Sequence, residues 1–279
     1  MILGVFVFVI QSNRVQSYAA PKLEISMDET SCSFAREYIT SFEYLRSQKQ
    51  LLLSELEGKK LALQVTAGCN GAAERFIKVV SVMTKSGLSA RDAVKLGTEF
   101  ARRTTQETET FLAVFQKGFL AEYLDMDLRD SLRLAKSLST DFKGDISAVR
   151  KDFEKMVDFC SGKNPEGIEL SLPRCGDFAA RIARLGEKLN GGVAEPFQKM
   201  FEFLTNSITG PGLTKSQSLG LAQKVLESGG TGVDNFILAY RYAISQSGLS
   251  MDIKNALEFA KKLSIDLPLE VAKEGPAKS

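Results

Sequence analysis

FIKVVSVMTKSGLSARDAVKLGTEFA at residues 76–101 recurs in looser form as FILAYRYAISQSGLSMDIKNALEFA at residues 236–260. Each stretch opens with a phenylalanine and an apolar segment, passes through Ser-Gly-Leu-Ser and closes on Glu-Phe-Ala. On both sides of the tetrapeptide, apolar residues recur at the three- and four-residue spacing of a helix that buries one face. Each stretch is therefore expected to form a helical hairpin, two helices joined by a turn.

The tetrapeptide carries the residues that a turn between helices requires. Glycine adopts the left-handed conformation that ends many helices, and serine is a frequent N-cap. We therefore predict that Gly248 ends the first helix of the later stretch and that Ser250 caps its second helix. Asp127 is expected to cap another helix, from Leu128 to Leu138. The predicted turn residues are Gly87 and Leu88, Gly212 and Leu213, and Gly248 and Leu249.

Three further hairpins are expected to begin at Phe111, Phe153 and Phe197. Because one hairpin cannot cover its own apolar stripe, neighbouring hairpins must stack. The sequence thus predicts an all-α fold of stacked helical hairpins, an α-solenoid or an irregular helical array, with about five repeats and an N-terminal helical cap. The turn leucines of the five repeats, spaced 36 to 46 residues apart, are Leu88, Leu124, Leu170, Leu213 and Leu249.

One continuous helical domain is expected between two shorter terminal segments. The cap at its start, from Phe34 to Val65, fits either a hairpin or one long helix, and Gly58 is the expected break. By composition the chain divides into a signal peptide (1–19), an extended segment (20–33), a helical-repeat domain (34–267) and a flexible tail (268–279).

The N-terminus has the features of a signal peptide. Ile2 to Ile10 is an unbroken apolar run, too short to span a bilayer but long enough for a signal-peptide core. Ser17 and Ala19 are small residues of the kind that a signal peptidase reads, which places cleavage after Ala19. No lysine or arginine precedes the run, so the alternative is a strand or helix of a protein that is not secreted. The expected location is periplasmic or secreted, without a transmembrane span.

The four cysteines, an even number, fit an oxidising compartment. Cys160 and Cys175 flank a segment rich in glycine and proline, where a disulfide would close a loop of about 15 residues. A second bond between Cys32 and Cys69 follows by elimination and requires the chain to reverse direction between them. The alternative is four buried free thiols.

The composition excludes several functional classes. The chain has no histidine, which removes His-based triads, imidazole bases and His-ligated metals. It has no Cys-x-x-Cys pair, and neither a metal nor another cofactor is expected. Lysine and arginine number 36 against 34 acidic residues, which disfavours nucleic acid as a partner. Three basic pairs are interpreted as solvated helix faces: Lys59-Lys60, Arg102-Arg103 and Lys261-Lys262.

Glu227 is a weak catalytic candidate. Glu227-Ser228 resembles the Glu-Ser pair of lysozyme-like lytic transglycosylases, and the segment from Gly220 to Gln223 resembles their Gly-Leu-Met-Gln element. In that family the element follows the glutamate, whereas here Gly-Leu-Ala-Gln precedes it. The resemblance implies a glycan-cleaving enzyme that needs only carboxylates. The alternative for Glu227 is a solvated side chain at a helix end.

The repeats, together with the missing catalytic motif, favour one function over two alternatives. A stack of hairpins presents an extended surface, so we expect a non-catalytic secreted or periplasmic protein that binds a protein or peptide partner. The first alternative is a carboxylate-dependent cell-wall glycan hydrolase or lyase. The second is a structural envelope protein that associates into a homo-oligomer. The sequence thus leaves an enzymatic activity open, although the missing catalytic motif argues against one.

The intact mass of the mature protein tests the N-terminus and the cysteines together. Protein recovered from a secreted or periplasmic fraction is expected to lack residues 1–19 and to react with an alkylating reagent only after reduction. A full-length mass would contradict the predicted cleavage, and alkylation without reductant would contradict the predicted disulfides.

Overall fold

The computed structural model describes residues 32–51, 53–164, 167–189, 192–229 and 231–266. These residues form an all-α array, which confirms the predicted fold class. Within them, β-structure is limited to an isolated bridge between Ser161 and Glu169. The helices are α1 Phe34–Ser47, α2 Glu55–Thr66, α3 Ala72–Lys85, α4 Ala90–Ala101, α5 Thr105–Phe119, α6 Leu128–Ser139, α7 Ile146–Cys160, α8 Leu172–Arg184, α9 Gly186–Leu189, α10 Ala194–Thr205, α11 Lys215–Glu227, α12 Gly232–Ile244 and α13 Ile253–Lys261, with a 3-10 turn at Lys49–Leu51 and a π-helical turn at Lys262–Asp266.

All the described helices lie in one compact unit, Ser33–Ser279. The predicted signal peptide at 1–19, nearly all of the extended segment at 20–33 and the tail at 268–279 lie outside the described residues. None of the described helices is long and apolar enough to cross a membrane.

The described helices other than α9 pair consecutively into six hairpins, in which each helix packs more extensively against its partner than against any other helix. Hairpins 1 to 6 are α1–α2, α3–α4, α5–α6, α7–α8, α10–α11 and α12–α13. The predicted N-terminal cap is therefore itself a hairpin. Gly58 is not its break, because the chain reverses before α2, where Ser54 and Glu57 form a capping box. Gly58 lies inside α2, where a Cβ would approach the Phe42 ring to 3.4 Å.

The first helices of successive hairpins form a continuous row. Contacts run from α1 to α3, then to α5, α7, α10 and α12. Positions in each first helix are numbered here from its leading aromatic residue, which is Tyr38 in α1. The phenylalanines that lead the other five first helices are all fully buried: Phe76, Phe111, Phe153, Phe197 and Phe236.

Position −1 of a first helix reaches the start of the next one. Asp152 of α7 accepts hydrogen bonds from the backbone N–H groups of Val193 (2.9 Å) and Ala194 (3.0 Å), where α10 begins. Glu37 of α1 accepts from Gly71 (2.9 Å) and Ala73 (2.6 Å), where α3 begins. The first N–H groups of a helix have no partner within the helix, so these two buried carboxylates cap the neighbouring hairpin.

Position +2 faces the acidic position −2 of the next first helix. Lys155 pairs with Glu195, and Lys199 pairs with Asp234 at 2.7 Å. Both pairs are exposed, and exposed pairs of this kind contribute about 0–1 kcal/mol. The two pairs show that hairpins 4, 5 and 6 stack in a common register.

The turn prediction is correct in hairpins 2 and 5 and wrong in hairpin 6. Gly87 and Gly212 have the left-handed backbone that was expected, with φ of 91° and 65°. Gly248 does not; in hairpin 6 the left-handed residue is Ser250, with φ of 50°. Asp252, rather than Ser250, is the N-cap of α13 and accepts from the Asn255 N–H. Gly248 is needed for another reason, since a Cβ there would lie 2.0 Å from the Tyr242 carbonyl oxygen.

The prediction for hairpin 6 is wrong because the point at which the first helix ends, and not the tetrapeptide, determines the conformation of the turn. In hairpin 2, α3 runs directly into the turn and the Leu88 N–H donates to the Met83 carbonyl. In hairpin 6, α12 ends at Ile244, so Leu249 is 41% exposed and Met251 donates back to Ala243 instead. Hairpins 3 and 5 close in the same way, through Met126 to Gly118 and Leu213 to Leu204.

All four cysteines, which lie in the described part of the chain, are disulfide-bonded. The expected bond between Cys160 and Cys175 joins the end of α7 to α8 across a Cα–Cα distance of 5.3 Å. Cys32 and Cys69 are the remaining bonded pair. Between them the chain does reverse direction, as that bond requires.

The junction carboxylate of hairpin 4 generates a stability prediction. Asp152→Ala leaves the buried N–H groups of Val193 and Ala194 without an acceptor, and each such group costs about 1–3 kcal/mol. We expect the free energy of unfolding in urea to fall by about 2–4 kcal/mol, and by less in Asp152→Asn, which keeps one acceptor oxygen. Glu195→Ala, which removes only an exposed ion pair, should change it by less than about 1 kcal/mol. Equal losses in the two alanine variants would contradict the role of Asp152.

The same carboxylate predicts a pH dependence. Burial raises the pKa of Asp152 above its ordinary value, against the opposing effect of the two hydrogen bonds. The folded state therefore holds this proton more tightly than the unfolded state, and the wild-type protein loses stability as the pH rises from the ordinary aspartate pKa through the raised one. Asp152→Asn should lack this loss when urea unfolding is repeated across the acidic range. An unchanged pH profile would contradict the assignment.

Candidate functional site: a basic groove between α2 and α4

A surface groove of about 910 Å³ lies between the second helices of hairpins 1 and 2. A smaller cavity of about 570 Å³ continues it and shares Gln64, Lys95 and Thr98 with it. Together they form the basic groove. Its walls are Leu51, Leu53, Glu57, Lys60, Leu61 and Gln64 on one side, and Ala90, Arg91, Asp92, Val94, Lys95, Thr98, Glu99, Arg102 and Arg103 on the other.

A buried arginine fixes the relative position of the two helices. The Arg75 guanidinium donates to the carbonyls of Asn70 (2.8 Å), Ala101 (2.9 Å) and Gly68 (3.3 Å), just beyond α2 and at the end of α4. The last carbonyls of a helix have no partner within the helix, and a cation at that end is favourable. Burial lowers the pKa of Arg75, while the negative charge of Glu37 acts in the opposite direction.

Gly68 makes this close approach of the helix ends possible. A Cβ at Gly68 would lie 1.8 Å from the Ala101 carbonyl oxygen, so only glycine lets the backbone past the end of α2 touch the end of α4. Together with Arg75, this contact holds the walls of the basic groove at a fixed separation.

The exposed face of α4 carries a row of cations. Arg91, Lys95 and Arg102 are spaced four and seven residues apart, which places them on one side of the helix over about 16 Å. All three are exposed, and none forms an ion pair with a carboxylate among the described residues. Lys60 stands on the opposite wall.

The acidic residues of the groove are engaged elsewhere. Glu57 accepts from the hydroxyl and the backbone N–H of Ser54, which lowers the pKa of Glu57, and the charge of Lys60 lowers it further. Asp92 accepts from the Ser89 hydroxyl at 2.6 Å. Glu99 accepts from Lys136 of α6 at 2.9 Å. Five basic residues line the groove against these three acids, so its rim carries a net positive charge: Lys60, Arg91, Lys95, Arg102 and Arg103.

The floor of the groove is apolar. Val94 is buried, and Leu53 and Leu61 are partly buried against the core. A channel with a cationic rim and an aliphatic floor suits a ligand that combines negative charges with apolar side chains.

The predicted site residues do not meet at this groove. Glu227 is the last residue of α11, is exposed and accepts from the Gln223 side chain at 2.8 Å. A general acid of a glycosidase is typically sheltered from solvent, and this carboxylate is not. Residues 220 to 223 lie on the same helix, upstream of it.

The basic pairs interpreted as solvated helix faces lie on accessible surface, and three of their members, Lys60, Arg102 and Arg103, also line the basic groove. The spacing of the pairs along the chain gave no signal of this, because α2 and α4 come side by side only when hairpins 1 and 2 stack. The row formed by Arg91, Lys95 and Arg102 was visible in the sequence at helical spacing.

No protein-family model, curated protein or solved structure matches the chain. Among the described residues, no group of acidic and cysteine side chains is arranged to hold a metal ion.

Proposed function

We propose that this protein is a non-catalytic, helical-repeat binding protein that holds an extended acidic segment of a partner protein in the basic groove. The observation that carries the proposal is the row of Arg91, Lys95 and Arg102 along one wall, without carboxylate partners in the described part of the chain. The unpaired cations attract the acidic side chains of such a segment, and the apolar floor accommodates its apolar side chains.

The dimensions suit a peptide of modest length. A cation row of about 16 Å matches roughly five residues of an extended chain at 3.3 Å each. Alternate side chains of such a chain point in opposite directions, so acidic residues can meet the rim while apolar residues lie over Leu61 and Val94.

A peptide fits this groove better than a nucleic acid does. The floor residues are aliphatic, whereas binding of single-stranded nucleic acid typically uses aromatic stacking.

The proposed location is the periplasm or the extracellular space. The two disulfide pairs support an oxidising compartment, and cleavage after Ala19 stays a prediction of the sequence. The glycan-cleaving alternative, with Glu227 as acid, likewise stays a prediction.

Charge reversal in the groove tests the proposal. A fluorescently labelled peptide of alternating glutamate and leucine should bind the full chain, with an affinity that falls as salt is added. Lys95→Glu is expected to weaken binding about tenfold, which corresponds to about 1.4 kcal/mol. The matched control is Lys224→Glu on the exposed face of α11, which should leave binding within about twofold, well under that 1.4 kcal/mol step.

Three outcomes would overturn the proposal. The first is equal binding of a lysine–leucine peptide, and the second is an equal effect of Lys95→Glu and Lys224→Glu. The third is tighter binding of a single-stranded oligonucleotide than of the acidic peptide, which would redirect the assignment of the groove to nucleic acid.

A further inference from the structure

The row of first helices has a consistent forward face, the side of each helix that meets the next hairpin. It comprises positions −1, +2 and +6 from the leading aromatic residue. Position −1 is Asp152 in α7, which caps α10, and position +2 is Lys199 in α10, which pairs with Asp234 of α12.

Position +6 of the forward face is an aromatic residue in α7 and α10. Phe159 is 1% exposed and packs edge-on against Phe197 and Phe201 of α10. Phe203 is 6% exposed and packs edge-on against Tyr240 of α12. In both cases the next hairpin is what buries the ring.

The forward face of α12 is uncovered among the described residues. Its three positions are Asn235, Leu238 and Tyr242; Leu238 is 71% exposed and Tyr242 is 53% exposed. The last repeat of a solenoid ordinarily carries a polar outer face. Here, leucine stands where α3, α7 and α10 carry lysine, and an aromatic residue is kept at position +6.

At the opposite end of the row, α1 also exposes an apolar residue on the face that a preceding hairpin would cover. A first helix receives its predecessor through positions −2, +1 and +5; in α12 these are Asp234, Ile237 and Arg241. Ile237 is only 9% exposed because α10 lies beside it. In α1 the same position is Ile39, which is 53% exposed.

We propose that α12 of one copy of this chain docks on α1 of a second copy and so continues the row of first helices from molecule to molecule. In the register that α10 uses on α12, Tyr242 then takes the place of Phe203 and Ile39 takes the place of Ile237, two residues that line one pocket within the chain. The support for this proposal is that neighbouring hairpins within the chain already pack through these same two faces, one from each hairpin. The net charge of +2 offers little long-range repulsion between copies.

The contact joins two different faces, so it does not close on itself. A dimer formed in this way still exposes α12 at one end and α1 at the other, and further copies can add. The proposal goes beyond peptide binding, since it uses neither wall of the basic groove.

Complementary end variants test the proposal on the full chain. The weight-average mass of the wild-type protein in sedimentation velocity should rise with concentration beyond that of a dimer. Tyr242→Lys, which places a charge at the position where α7 and α10 bury a phenylalanine, and Ile39→Lys should each be monomeric alone. Their equimolar mixture should form a heterodimer that grows no further, because only one pair of intact faces remains.

A control and the contrary outcomes complete the test. Leu63→Lys, an equally exposed leucine on α2, should associate like the wild type. Self-association of Ile39→Lys alone would show a symmetric α12 contact and overturn the proposal, as would a wild-type chain that stays monomeric at every concentration. Leu238→Lys should weaken association less than Tyr242→Lys does, because lysine at this position stays exposed in the stacked helices α7 and α10. Tyr242→Lys should bind the acidic peptide normally, so the two proposals fail separately.

Discussion

Burial of the leading phenylalanine in each of hairpins 2 to 6 is the constraint on which the rest of the structure depends. Phe76, Phe111, Phe153, Phe197 and Phe236 are all fully buried, and each such burial is worth about 1.5–3 kcal/mol. A hairpin alone leaves this stripe in water, so stacking is obligatory. The capping carboxylates and the lysine–acid pairs are built on that stacking. They bring charged groups to the same positions in successive junctions.

Both surfaces with a proposed role follow from this constraint. Stacking of hairpin 2 on hairpin 1 brings α4 alongside α2, and the Arg75 hydrogen bonds hold the helix ends together. The basic groove therefore forms where these two hairpins meet. The row also has two ends, where the covering neighbour is missing from the described residues. Tyr242 and Ile39 are exposed there, whereas Phe159, Phe203 and Ile237, at the same positions inside the row, are buried.

The sequence predicted the hairpins because the leading phenylalanines and the helical periodicity are local signals. The N-cap role of Asp127 is confirmed, since a cap depends on a few adjacent residues, and α6 runs to Ser139. Other features were beyond local reasoning. Identical Ser-Gly-Leu-Ser segments adopt different turns because α12 ends earlier than α3, and Gly58 packs inside a helix because Phe42 lies against it. The groove brings Lys60 of α2 and Lys95 of α4 to one cavity through tertiary packing, for which spacing in the sequence gives no signal.

Amide hydrogen exchange followed by mass spectrometry tests the central claim most directly. If neighbours stabilise each hairpin through the first helices, peptides from α3, α5, α7 and α10 should exchange most slowly, and protection should fall toward α1 and α12 at the ends of the row. Peptides from α6 and α11 should exchange faster than those from their partner helices. Uniform protection throughout the array, or strongest protection in the second helices, would contradict the account.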